Sequence, residues 1–161
     1  MSSNMPRVLI IAYGNPLRSD DGVAWRVADL LRGKFSADEV DIECLQQLGP
    51  ELAESASRCE CVIFVDASAK QGSPGEFQVV DFSADFNEAS QASRFCHALP
   101  PSAILGLSER LYGSRPRAYC ATIIGESFEH GESLSPVVTA ALPTLVARIE
   151  KLVSVLSKAK P

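Results

Sequence analysis

Short apolar runs alternate with stretches of helical periodicity along this chain of 161 residues. An apolar run of roughly four to eight residues is typical of a buried strand, whereas apolar positions three or four residues apart are typical of a helix. The pattern predicts strands at residues 8–13, 40–46, 61–65, 75–82 and 117–124, and helices at 22–34, after 49, at 102–112 and from 136 onward. This alternation predicts a single α/β domain over residues 1–161, with a mostly parallel twisted sheet of about five strands and helices on both faces.

The helical pattern is clearest at the C-terminus. Ser135 suits the N-cap, and Pro136 suits the first helical position, where a missing backbone N–H costs nothing. Apolar residues then recur at helical spacing as far as Leu156, and Pro143 is expected to kink the helix.

Composition restricts the classes of partner. Apolar residues make up 46% of the chain and charged residues 22%, which is the balance of an ordinary globular protein. The net charge of −5 argues against nucleic acid or an anionic membrane as the main partner. No apolar run approaches the roughly 20 residues of a membrane-spanning helix, and the short polar N-terminus does not resemble a signal peptide. We therefore expect a cytoplasmic protein.

The five cysteines do not suggest a disulfide framework, because their number is odd and the chain lacks secretory features. Cys59 and Cys61 lack the spacing and the second pair of a zinc site. Cys96 directly precedes His97, but neighbours in an extended segment point apart, so we do not expect Cys96 to act as a nucleophile beside His97. We interpret the cysteines mostly as buried thiols.

Two adjacent acids, Asp20 and Asp21, lie between the first strand and the first helix. Loops that follow strands of a parallel α/β sheet gather at its carboxyl edge, where ligands bind. Neighbouring carboxylates repel one another, and a metal ion or an acid–base role would account for their placement. A structural alternative is that Asp20 caps the helix while Asp21 interacts with the helix dipole.

Two further polar residues are predicted at the same edge. Asp66 ends the third strand, and His97 lies in a long polar segment after the fourth strand. If loops after strands share one edge, then Asp21, Asp66 and His97 meet there. Two carboxylates and an imidazole suit a divalent ion such as Ni²⁺, Zn²⁺ or Co²⁺. Other interpretations are that Asp66 caps a turn and that His97 is merely exposed; His130 competes with His97 on spacing, although we expect it to be solvated.

The segment GNPLRSDDG at residues 14–22 resembles the N-terminal signature of the hydrogenase maturation endopeptidases. These proteases remove a C-terminal peptide from the large subunit of [NiFe] hydrogenases. Three further segments resemble the family's signatures in the same order, namely IFVDA at 63–67, His97 with LGL at 105–107, and GES at 125–127 with LSPVV at 134–138. The resemblance spans nearly the whole chain. It implies an endopeptidase on a single α/β domain.

By this resemblance, Asp21, Asp66 and His97 are the metal ligands, and Asp21 and Asp66 take part in catalysis. The attacking group is an aspartate or a metal-polarised water. The nickel arrives in the substrate, the precursor of the large subunit, so we expect the purified protein to be largely metal-free. Asp20 is the next candidate if Asp21 is not the ligand.

The chain departs from the family pattern at a few positions. Many members have glutamate in place of Asp21 and glutamine in place of Ala98, and residues 128–130 are distinctive. Two alternatives stay open. One is a non-catalytic, chaperone-like protein that checks nickel on the same fold, and the other is a stand-alone metallopeptidase that holds its own zinc. Cleavage of a nickel-loaded precursor would exclude the first, and stably bound metal would favour the second.

Overall fold

The structure, a computed structural model, describes residues 5–82 and 99–158. The strands are β1 (Val8–Tyr13), β2 (Val40–Leu45), β3 (Cys61–Ser68), β4 (Phe77–Asp81) and β5 (Arg117–Ile124). The helices are α1 (Val23–Leu31), α2 (Leu52–Ser57), α3 (Pro101–Tyr112) and α4 (Pro136–Lys158), and a 3-10 turn at Ser19–Gly22 leads into α1. Each predicted strand and helix is present, with small differences at the ends.

The strands form one sheet in the order β2-β1-β3-β5-β4. β1 pairs in parallel with β2 and β3, β3 pairs in parallel with β5, and β4 pairs antiparallel with β5. The predicted mostly parallel α/β fold is therefore confirmed. From β1 the chain moves to β2 on one side and then returns to β3 on the other side. This reversal creates a crevice at the carboxyl ends of β1 and β3, the place where open α/β sheets bind ligands.

Alternating side chains of β1 bury two separate apolar layers. Val8, Ile10 and Ala12 pack into a cluster with residues of α1 and α4. Leu9 and Ile11 pack into a second cluster with residues of α2 and α3. Because successive strand residues point to opposite faces, one continuous apolar run fills both layers. The central strands are thereby held rigidly, and so are the side chains at their carboxyl ends.

The structure differs from the predicted bounds at β3. This strand continues past Asp66 to Ser68, because β5 keeps pairing with it as far as the partners Ser68 and Ile124. Asp66 therefore lies inside the strand, opposite Thr122, instead of ending it. The backbone of a strand holds this carboxylate more firmly than a loop would.

The C-terminal helix α4 begins at Pro136 as predicted and continues through Pro143 to Lys158. Its buried residues include Val138, Leu145 and Ile149. No helix in residues 5–82 and 99–158 is long and apolar enough to cross a membrane.

Candidate functional site

Asp21 lies in the 3-10 turn at the carboxyl end of β1, on the crevice between β1 and β3. It is partly exposed, and its Oδ2 accepts a hydrogen bond of 2.8 Å from the backbone N–H of Asn15. Gly14 allows this close approach. Its φ is +142°, and a Cβ at that position would lie 2.1 Å from the carbonyl oxygen of Asp21. A side chain at residue 14 would therefore displace Asp21.

Asp66 faces the same crevice from β3, and the structure brings it under the influence of Asp21. Burial raises the pKa of Asp66 to about 8, and the negative charge of Asp21 adds to the rise. The backbone N–H of Ala67 and the hydroxyl of Tyr13 act in the opposite direction, because they stabilise the ionised form. A carboxyl group with a pKa near neutrality beside a second carboxylate is a common feature of functional sites.

The third predicted ligand, His97, lies outside the described residues. His97 was placed at the carboxyl edge on the premise that the strand before it runs parallel to its neighbours. That premise is wrong, because β4 is antiparallel to β5. The end of β4 at Asp81 pairs with Tyr119, near the start of β5, and so lies toward the opposite edge from Asp21 and Asp66. The periodicity that predicted a strand carried no information about its direction. In residues 5–82 and 99–158, no group of three or more His, Cys, Asp or Glu side chains is arranged to hold a metal ion.

Asp20 has a structural role, although its neighbour faces the crevice. Its carboxylate is completely buried and accepts four hydrogen bonds, from the backbone N–H groups of Glu126, Ser127 and Ser135 and from the Ser135 hydroxyl, at 2.7–3.0 Å. Burial alone raises the pKa of Asp20, but the bonds from Ser127, Ser135 and Glu126 outweigh it and leave the pKa below its usual value. Asp20 is therefore unsuited to replace Asp21 as a ligand. It does not cap α1 either, because Gly22 occupies the N-cap.

The loop at residues 125–135 is joined to the acidic turn by backbone bonds as well. The N–H of Ser19 donates to the carbonyl of Gly131 at 2.7 Å, and the N–H of Gly131 donates to the carbonyl of Leu17 at 2.8 Å. His130 in this loop is exposed, as expected. Two segments that are far apart in sequence therefore form one support behind Asp21.

No family model matches the chain, and no curated protein matches it. Solved structures do resemble it. The hydrogenase maturating endopeptidase HybD from E. coli superposes with a TM-score of 0.73 at 23% identity, and the match covers 92% of each chain. The [NiFe] hydrogenase maturation protease HycI from Thermococcus kodakarensis superposes with a TM-score of 0.70 at 24% identity, covering 94% of this chain and 95% of that chain. A hydrogenase 2 maturation peptidase from a Thaumarchaeota archaeon gives 0.66 at 25% identity, covering 91% and 97%.

The chain has the hydrogenase maturation endopeptidase fold. The matches cover nearly the full length of each chain, so the likeness extends over the whole sheet and its helices. The fold expected from the sequence resemblance is thereby confirmed. The acidic turn and the loop at residues 125–135, which carried two parts of that resemblance, are in direct contact through Asp20.

The four cysteines within residues 5–82 and 99–158 are poorly suited to act as nucleophiles. Cys59, Cys61 and Cys120 are buried, and Cys44 is partly buried, which confirms the interpretation of these four residues. Burial raises the pKa of Cys59 to about 11 and that of Cys61 to about 12, so both thiols are protonated at neutral pH. Cys96 lies outside the described residues.

Sequence reasoning missed two aromatic residues that contact the site. Tyr13, the last residue of β1, interacts with Asp66, and burial followed by the charge of Asp66 raises the pKa of its hydroxyl. The Trp25 indole N–H donates a 2.9 Å hydrogen bond to the carbonyl of Gly14. The available signal was position, since both are large aromatic residues with a polar atom at the ends of the elements that flank the acidic turn.

Proposed function

We propose that this chain is an endopeptidase that removes the C-terminal extension of a nickel-loaded [NiFe] hydrogenase large subunit. The observation that supports it most strongly is the pair Asp21 and Asp66, two interacting carboxylates at the crevice of a sheet with the maturation endopeptidase fold. Three of the structures that share this fold are named as proteases or peptidases of hydrogenase maturation.

The chemistry of the acid pair suits a divalent cation as part of the substrate. Asp66 retains a proton at neutral pH because burial disfavours its ionised form and because ionisation would place a second negative charge beside Asp21. A cation with its own positive charge replaces that proton favourably. In this proposal, Asp21 and Asp66 supply oxygen ligands and His97 supplies a nitrogen ligand to nickel that the precursor carries. The purified protein is then largely metal-free, because three ligands form an incomplete shell.

The role of the acids in catalysis follows from the same arrangement. Joint coordination brings the scissile peptide of the precursor to Asp21 and Asp66 and excludes peptides that carry no nickel. In one route, a carboxylate accepts a proton from water as the water attacks the peptide carbonyl, and passes that proton to the leaving amine as the C–N bond breaks. In the other, a carboxylate attacks the carbonyl, the leaving amine takes a proton from water, and a second water hydrolyses the resulting anhydride. We include a cytoplasmic location in the proposal, in keeping with Cys44, Cys59 and Cys61, which form no disulfide.

The decisive experiment offers the purified protein matched apo and nickel-loaded precursor, without free metal, and follows the mass of the large subunit. We expect cleavage of the nickel-loaded precursor alone. Asp21→Asn, Asp66→Asn and His97→Ala should abolish cleavage while the proteins stay folded. Asp41→Asn is a matched control, because Asp41 is an exposed acid on β2 and should be dispensable.

Each other outcome favours a different function. Equal cleavage of apo and nickel-loaded precursor would overturn substrate-supplied nickel and favour a stand-alone metallopeptidase. Nickel-dependent binding of the precursor without cleavage would overturn the protease assignment and favour a chaperone that checks the metal.

A further inference from the structure

One peptide unit behind the acid pair is held from both sides. The carbonyl of Gly14 accepts a 2.9 Å hydrogen bond from Nε1 of Trp25. The N–H of the same peptide, which belongs to Asn15, donates a 2.8 Å hydrogen bond to Oδ2 of Asp21. The indole, the peptide and the carboxylate therefore form a single chain of hydrogen bonds.

Glycine makes this peptide dependent on outside support. Gly14 has a φ of +142°, a region that few other residues adopt, and it has no side chain to restrict rotation about its backbone bonds. A peptide plane that can rotate would move its N–H away from the carboxylate. The Trp25 indole opposes that rotation by fixing the carbonyl end.

Trp25 is well placed to give this support. It lies on α1, whose neighbouring residues Val23, Ala24 and Val27 are completely buried. The donor therefore sits on a helix that is fixed in the core, and an indole loses little entropy because it has only two side-chain torsions. It is also the only tryptophan in the chain.

We propose that Trp25 is a positioning residue, which holds the Gly14–Asn15 peptide so that its N–H orients the Asp21 carboxylate. This inference rests on the proposed function only in that it takes Asp21 to be a metal ligand. The Asn15 amide fixes Oδ2 of Asp21, and through it the orientation of the whole carboxylate. Groups that orient ligands in this way commonly change metal affinity about 10- to 100-fold when removed.

The test replaces Trp25 by Phe, which keeps an aromatic ring but removes the N–H donor. Because there is one tryptophan, benzothienylalanine can also replace it globally and keeps the indole shape without the donor. Arg26→Ala is the control, since Arg26 is an exposed neighbour on the same helix. Hydrogen exchange of the Asn15 amide in metal-free protein is measured first, and Ni²⁺ affinity is then measured by calorimetry.

We expect the Asn15 amide to exchange at least about ten-fold faster in both Trp25 variants, and Ni²⁺ binding to weaken about ten-fold. Arg26→Ala should match the parent protein in both measurements. Unchanged exchange would overturn the positioning role, and so would faster exchange with unchanged affinity. If the parent protein binds no Ni²⁺, the metal chemistry of the proposed function fails, whereas the exchange measurement still decides whether Trp25 holds the peptide.

Discussion

Removing the Asp20 carboxylate should damage stability far more than removing that of Asp21. Asp20→Ala leaves three backbone N–H groups and one hydroxyl without their acceptor. A buried donor that loses its partner costs about 1–3 kcal/mol. Because Ser127 and Ser135 are partly exposed, water can reach some of these donors, and we take the lower end. The expected loss is about 4 kcal/mol of unfolding free energy, or roughly 10 °C in Tm.

Urea unfolding and thermal melts followed by circular dichroism measure this loss. Asp21→Asn is the matched comparison, because an asparagine oxygen can still accept the Asn15 N–H and the substitution relieves repulsion with Asp66. We expect its stability to stay within about 1 kcal/mol of the parent protein. A loss below about 1 kcal/mol for Asp20→Ala, or an equal loss for the two variants, would refute the division of roles between these acids.

The pH dependence provides a further check on Asp20. Its pKa is lower in the folded protein than in the unfolded chain, so the unfolded chain binds more protons in acid. The stabilisation by Asp20 is therefore complete above pH 4 or so, the unfolded pKa, and is lost as the pH falls through the folded pKa. The difference between the parent protein and Asp20→Asn should shrink in that acidic window. A constant difference down to the acid transition would contradict the assigned cause.

Three other perturbations test the site. The pKa of Asp66 is raised to about 8, so the folded state holds the extra proton between about pH 4 and 8 and stability falls as the pH rises through that window. In urea unfolding, Asp66→Asn should therefore gain about 2 kcal/mol of unfolding free energy at pH 8 and nothing near pH 4. This gain is smaller than the full value of about 1.4 kcal/mol per pKa unit, because Asp66 is partly exposed. An equal effect at both pH values would contradict the assigned cause. Gly14→Ala should lower the unfolding free energy by about 3 kcal/mol in thermal melts and abolish cleavage, because its Cβ would lie 2.1 Å from the Asp21 carbonyl oxygen. An active and stable variant would show that the turn can relax. His97→Ala should weaken Ni²⁺ binding at least about ten-fold by calorimetry with an unchanged Tm, and unchanged affinity would remove His97 from the ligand set.

The fold was largely predictable because its central elements are continuous. The predicted bounds of β1 and β5 match those observed, since each is an unbroken strand that is followed directly by a glycine, Gly14 or Gly125. The direction of β4 was not predictable, because a pattern of alternating side chains is the same whichever way the strand runs. That direction changes where the following segment begins, which is why the argument from strand ends does not place His97.

The candidate site was predictable in part. The sequence pointed to Asp21 and Asp66, because each acid lies at or near the carboxyl end of an apolar run that forms a buried parallel strand. The role of Asp20 depends on partners as many as 115 residues away, and no local pattern reports contacts at that distance. Trp25 was missed for a different reason: its acceptor, the Gly14 carbonyl, is a backbone group that gives no side-chain signal, and only the position of Trp25 at the start of α1 pointed to it.

The geometry of the acidic turn explains why two adjacent acids can have separate roles. In a 3-10 turn, successive side chains point about 120° apart, so Asp20 can face the core while Asp21 faces the crevice. The four donors around Asp20 balance its charge locally, and its adjacency to Asp21 therefore needs no metal ion to account for it. The pair that does need an explanation is Asp21 and Asp66. The burial of Asp66 and its repulsion by Asp21 both disfavour its ionised form, so Asp66 keeps a proton. A cation carried by a substrate can take the place of that proton, and this is the physical reason to look for function between β1 and β3.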